Sequence, residues 1–97
     1  MEADNIVVIG GGPAGMMAAI RASQSQKSVI LVEKNPTLGC KLLLSGKGRC
    51  NLTNLCDLDK FFLSFSHHGQ FLRDAFKKFF HQDLMRFFEK RGLQIKV

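Results

Sequence analysis

Six residues near the start of the chain, Gly10-Gly11-Gly12-Pro13-Ala14-Gly15, have the types and spacing to hold a pyrophosphate. The Gly-x-Gly-x-x-Gly pattern gives each of its glycines one task. Gly10 permits a tight strand-to-helix turn, Gly12 lets the backbone approach a phosphate with no Cβ between them, and Gly15 lets a helix pack closely on a strand. Backbone N–H groups at the helix start, helped by the helix dipole, then point at the anion. Glu33 follows Gly10 by 23 positions, close to the roughly 20 expected of a ribose-binding acid. A carboxylate there accepts from the ribose 2′- and 3′-hydroxyls and repels a 2′-phosphate. The plainer alternative is a structural glycine turn with a solvated Glu33, and the flanking elements decide between the two.

Those elements suit a phosphate site. Ile6-Val7-Val8-Ile9 is a continuous β-branched run, as in a strand buried on both faces of a parallel sheet. It leads directly into the glycines. Met16 to Ala22 is rich in helix formers. Val29-Ile30-Leu31-Val32 is a second apolar run that ends at Glu33. Together these predict a β-α-β unit with two adjacent parallel strands joined by a right-handed crossover. Asn35-Pro36 then breaks the strand, and Cys40 to Leu44 has room for one helical turn.

From Asp57 the character changes, because all nine phenylalanines fall between Phe61 and Phe88. A short helix is expected from Asp57 to Leu63. A better one is expected from Gly69 to Phe80, where Leu72, Ala75, Phe76, Phe79 and Phe80 share one face. A third carries Asp83 in its first turn and Leu84, Phe87 and Phe88 on its apolar face, and it ends near Gly92. Residues 93–97 alternate apolar and polar, as a strand does. Such a phenylalanine stripe reads as core rather than as a platform for nucleic-acid bases. The domain boundary is placed between residues 56 and 57.

Composition removes several classes. With 97 residues and 45% hydrophobic content, the chain is one small globular unit rather than a disordered tail. No apolar run approaches the roughly 18 residues of a membrane span, and Met1 to Asn5 is not the basic start of a secretory signal. Three cysteines without a C-x-x-C pair suggest reduced thiols in the cytoplasm. A zinc site using them with His67, His68 and His81 is the sharper alternative, and ordinary packed or loop thiols are the plainer one. The net charge of +6 is diffuse, with +3 in residues 1–54 and +3 in 55–97. It favours anionic partners without identifying one.

A second segment carries a more specific signal. Ser45-Gly46-Lys47-Gly48-Arg49-Cys50-Asn51-Leu52-Thr53-Asn54 resembles the second signature of the aminoacetone-oxidase-like (BaiN/YhiN-type) NAD(P)/FAD-dependent oxidoreductases. The phenylalanine-rich helices and Phe87-Phe88-Glu89-Lys90-Arg91-Gly92 continue the likeness over nearly the whole chain. It reaches only the amino-terminal portion of the family's usual length. The resemblance implies an α/β fold: a Rossmann-like FAD-binding β-α-β unit followed by Phe-rich helices, with an incomplete parallel sheet. It implies FAD held at the pyrophosphate by Gly10, Gly12, Pro13, Ala14 and Gly15, and at the adenosine ribose by Glu33. Lys34 and Lys41 would flank the adenosine and phosphates, and Arg49, Cys50, Asn51 and Thr53 would approach the flavin. Cys40 departs from the family, which often has a basic residue before Lys41, and this removes one cation from the phosphate side.

The expected function is therefore the FAD-binding part of a flavoprotein oxidoreductase, with NAD(P)H as donor and a carbon–carbon or carbon–nitrogen bond as acceptor. The competing expectation is a truncated, non-catalytic piece that binds nucleotide weakly or not at all, since only two parallel strands are visible. Contact with an RNA substrate through the basic surface is a third, minor reading. The other expected partner is the remainder of a longer flavoprotein chain, against which the phenylalanine faces would pack.

Overall fold

Four β-branched or aliphatic pairings and one polar pairing build the sheet. In the computed structural model, which describes residues 5–46 and 52–96, β1 (Asn5–Ile9) lies parallel to β2 (Ser28–Val32). The register runs from Asn5 opposite Ser28 to Ile9 opposite Val32. Between them α1 (Pro13–Ser23) crosses over, so the expected β-α-β unit is present. Proline at the first helical position suits α1, because its fixed φ fits a helix and its missing N–H has no intrahelical acceptor there anyway. After β2 a loop leads to the short α2 (Cys40–Leu44).

The chain divides into two compact units, Met1–Cys50 and Asn51–Val97. In the first, α1 covers one face of the sheet. Ile6, Val8, Val29 and Leu31 on that face are half-buried. The opposite face is open: Val7 is 54% exposed and Ile9 84%, with Ile30 and Val32 near half. The expectation of strands buried on both faces is therefore corrected. Alternation in a strand sends every second side chain to the other face, and α1 can shield only one.

The second unit is a phenylalanine cluster. It holds α3 (Leu58–Leu63), a 3-10 segment (Ser66–Leu72), α4 (Arg73–Lys78) and α5 (His81–Glu89). Asp57 caps α3 by accepting from the Lys60 N–H at 2.8 Å. Phe61 meets Phe76 and Phe80 edge-on, with centroids 5.0 and 5.1 Å away, the arrangement that ring quadrupoles favour. Among the described residues Phe62 is the most buried apolar side chain, at 4% exposure, and the Arg73 guanidinium lies 4.8 Å from its ring centre. Leu84, Phe87 and Phe88 form the half-buried face of α5, as the spacing predicts.

Two expectations fail here. The single helix from Gly69 to Phe80 is instead a 3-10 segment followed by α4, and Phe79 turns extended at φ −150°. Gly69 is buried so tightly that a Cβ there would stand 2.7 Å from the Phe62 carbonyl oxygen. This close approach draws the segment onto α3 in a tighter winding than the periodicity implies. Residues 93–96 form no strand, although they alternate as one. A strand exists only by pairing, and among the described residues the only sheet is β1–β2.

Candidate nucleotide site

The glycine turn takes its shape from backbone bonds on both sides. The Gly10 N–H donates to the Val32 carbonyl at 2.8 Å, which extends the strand pairing into the turn. Gly10 then adopts φ +103°, a conformation that L side chains rarely reach. Gly12 caps α1, and the first helical bond runs from the Met16 N–H to the Gly12 carbonyl at 2.9 Å. The N–H groups of Gly12, Ala14 and Gly15 therefore precede the helical ladder with no partner inside it. Three donors at the positive end of an 11-residue helix make a site for an anion.

Steric room is distributed to match. A Cβ at Gly12 would meet no described atom within 4 Å, so the backbone is open to a ligand at that point. A Cβ at Gly15 would instead collide with the Gly10 carbonyl, whose carbon lies 2.9 Å from that position, and would reach Val8 Cγ1 at 3.7 Å. Gly15 thus lets α1 sit against β1, and Gly12 leaves space. Pro13 and Ala14 are exposed at the helix start.

Glu33 is fixed before any ligand arrives. Its Oε1 accepts from the Gly11 N–H at 2.7 Å, and its Oε2 accepts from the Asn35 N–H at 2.8 Å. The Asn35 and Gly11 hydrogen bonds hold its carboxyl below the usual carboxylate range. The group is therefore an anion at neutral pH, and each oxygen keeps a further lone pair for a ribose hydroxyl.

Gly11 is a connecting residue that the glycine spacing does not single out. Besides donating to Glu33, it accepts from the Gly39 N–H at 2.8 Å. It is buried, and a Cβ would press on Leu38 and stand 3.1 Å from Glu33 Oε1. One residue thus ties the glycine turn, Glu33 and the start of α2 together. Its signal in the sequence is its place in the middle of three consecutive glycines. Gly39, in the left-handed conformation at φ +67°, lets the chain turn into α2.

The other expected residues fall as follows. Lys34 is exposed directly after Glu33, and Lys41 is exposed on α2. The Cys40 thiol is engaged locally, 3.0 Å from the Thr37 hydroxyl and 3.3 Å from the Thr37 carbonyl. Thr53 is exposed in irregular backbone of the second unit. Arg49, Cys50 and Asn51 lie outside the described residues. Among the described residues no three His, Cys, Asp or Glu side chains gather as metal ligands. No described helix is long and apolar enough to cross a membrane.

Comparison with known proteins agrees with this geometry. The family described as HI0933-like protein Rossmann domain matches residues 4–97. A ribosomal RNA dihydrouridine synthase of Escherichia coli is 36% identical over 93 residues, covering 96% of this chain and 23% of the relative. A 3-dehydro-bile acid delta(4,6)-reductase of Clostridium scindens is 37% identical over 98 residues, again covering 96% and 23%. A mitochondrial dihydrolipoyl dehydrogenase of Caenorhabditis elegans is 57% identical over 35 residues, 36% of this chain and 7% of that one. The chain thus spans about a quarter of the length of the curated relatives it matches from end to end. With its β-α-β unit, glycine turn and pinned Glu33 carboxylate, the chain belongs to the HI0933-like Rossmann-domain family, a family of FAD-binding flavoproteins.

Proposed function

We propose that this chain supplies the adenosine-diphosphate side of an FAD site in a cytoplasmic flavoprotein oxidoreductase. The observation that carries the reading is Glu33, pinned as an anion by the Gly11 and Asn35 N–H groups beside an open glycine turn. Gly12, Ala14 and Gly15 donate to the pyrophosphate, with Gly10 and Pro13 shaping the turn, and Glu33 accepts from the adenosine ribose. Lys34 and Lys41 add positive charge nearby. Arg49, Cys50, Asn51 and Thr53 take the flavin side, where FAD supplies hydride-transfer chemistry and the protein supplies position and charge. NAD(P)H serves as the donor, and the reductase and synthase names among the relatives favour an unsaturated carbon acceptor.

The test is a titration of the chain with FAD, followed by flavin fluorescence. Saturable binding that Glu33→Ala abolishes supports the reading, and absence of binding by the unaltered chain refutes it. The open sheet face, with Ile9 84% exposed, favours a second reading in which these 97 residues alone hold nucleotide only weakly. Weak binding that tightens when the chain is part of a longer flavoprotein would select it.

A further inference from the structure

His81 is a buried side chain that the nucleotide site does not use. It is 9% exposed and opens α5. Its Nε2 lies 2.7 Å from the carbonyl oxygen of Cys56, 25 positions earlier. A carbonyl only accepts, so Nε2 carries the hydrogen and donates. Nδ1 is buried with no hydrogen-bond partner among the described residues. Burial penalises such an atom, and a phenylalanine of similar size would avoid the penalty. What a phenylalanine could not supply is the bond to Cys56.

The two ends of that bond differ in how firmly they are held. The imidazole stands against the Phe80 ring, with centroids 4.1 Å apart. Phe80 is packed on Phe61 and Phe76, and its N–H donates to Asp83 Oδ2 at 2.9 Å. Asp83 in turn takes the Arg86 guanidinium at 2.7 Å. Residues 52–56 have no regular structure. Their local bond runs from the Cys56 N–H to the Asn54 carbonyl at 3.0 Å, and the link to His81 is their long-range hydrogen bond among those described. A fixed post therefore holds an otherwise irregular strip of backbone, and that strip contains Thr53.

We propose that His81 is a positioning residue for the second cofactor segment: its Nε2–H fixes the Cys56 carbonyl and thereby sets the course of residues 52–56 before FAD binds. The role rests on the assignment of Thr53 to the flavin side. Two substitutions in the full chain test it. His81→Phe keeps the bulk and loses the donor, and His81→Gln keeps an N–H donor of similar reach. Hydrogen exchange of residues 53–57 in the cofactor-free chain reads the anchor, and FAD affinity with the visible circular dichroism of bound flavin reads its consequence. His81→Phe is expected to speed that exchange and weaken FAD about tenfold, as loss of one hydrogen bond implies. His81→Gln is expected to restore both. Unchanged exchange in His81→Phe overturns the anchor. Faster exchange with unchanged FAD affinity and flavin dichroism overturns the positioning role and leaves a purely structural bond. Should His81→Phe fail to fold, ring NMR of the unaltered chain decides, because a rapidly exchanging His81 Nε2–H overturns the proposal and a protected one supports it. Protected residues 53–57 in a chain that takes up no FAD refute the flavoprotein reading, and the positioning role with it, while the anchor itself stands.

Discussion

Replacing Gly12 by alanine separates folding from cofactor binding, because the two impose different demands at that residue. Gly12 sits at φ −80° and ψ −174°, where alanine is at ease, and its added Cβ meets no described atom within 4 Å. Two small effects on folding oppose each other. Alanine is a poorer helix cap than glycine, at a cost of some tenths of a kcal/mol. It also restricts the unfolded chain, which returns about 0.4–1 kcal/mol. Net stability should therefore change by less than about 1 kcal/mol. Binding has no such compensation. A methyl group where the pyrophosphate must approach forces the phosphates off the N–H groups of Gly12, Ala14 and Gly15. Loss of even one charge-assisted hydrogen bond costs about 1.5–3 kcal/mol, or roughly 10- to 150-fold in affinity. Urea unfolding and an FAD titration of both proteins give the two numbers. Equal FAD affinity in Gly12→Ala would refute the placement of the pyrophosphate, and a large drop in stability would refute the claim that Gly12 faces open space.

Other substitutions follow from the same geometry. Gly15→Ala drives its Cβ into the Gly10 carbonyl and should destabilise the first unit by about 1–3 kcal/mol before any ligand is added, seen as a lower urea midpoint. The carboxyl of Glu33 is held below the usual range by the Asn35 and Gly11 N–H groups, so its contribution to stability is present above the unfolded-state value and is lost as pH falls through the folded-state value. Acid titration should accordingly show Glu33→Gln with a flatter pH dependence than the parent below pH ~4, with parallel curves between there and neutral pH, and coincident slopes in the acid range would count against the pinned anion. Phe62→Ala empties the most buried apolar side-chain position described in the second unit and should cost about 3–5 kcal/mol, enough to melt the phenylalanine cluster, as near-ultraviolet circular dichroism would register.

Much of the first unit was legible because its signals are local. β-branched runs, a glycine turn and an acid at the right distance are each read within a few residues, and α1 with its two strands follows. The open sheet face was not legible, since a run such as Ile6 to Ile9 looks the same whether one helix or two cover it. Gly11 escaped because its work depends on Glu33 and Gly39, and the spacing rule counts only three of the four glycines in the turn. In the second unit the helical period placed Leu84, Phe87 and Phe88 on a half-buried face, yet it put Ala75 and Phe79, which are exposed, on the inner face of the longer helix and missed the break before α4. That break depends on Gly69 meeting the Phe62 carbonyl, a contact between elements that no period encodes. Residues 93–96 alternate correctly for a strand that needs a neighbour to exist. The bond between His81 and Cys56 joins residues 25 apart, and nothing in either local sequence announces it.

In the proposed function the glycine turn and Glu33 hold the adenosine-diphosphate side of FAD. Amide NMR of the labelled chain during an FAD titration tests it residue by residue. Gly11, Gly12, Ala14, Gly15, Lys34 and Asn35 are expected to shift together along one saturable curve, and ADP alone is expected to move the same set. Shifts confined to α5, or a spectrum that FAD leaves unmoved, would contradict it.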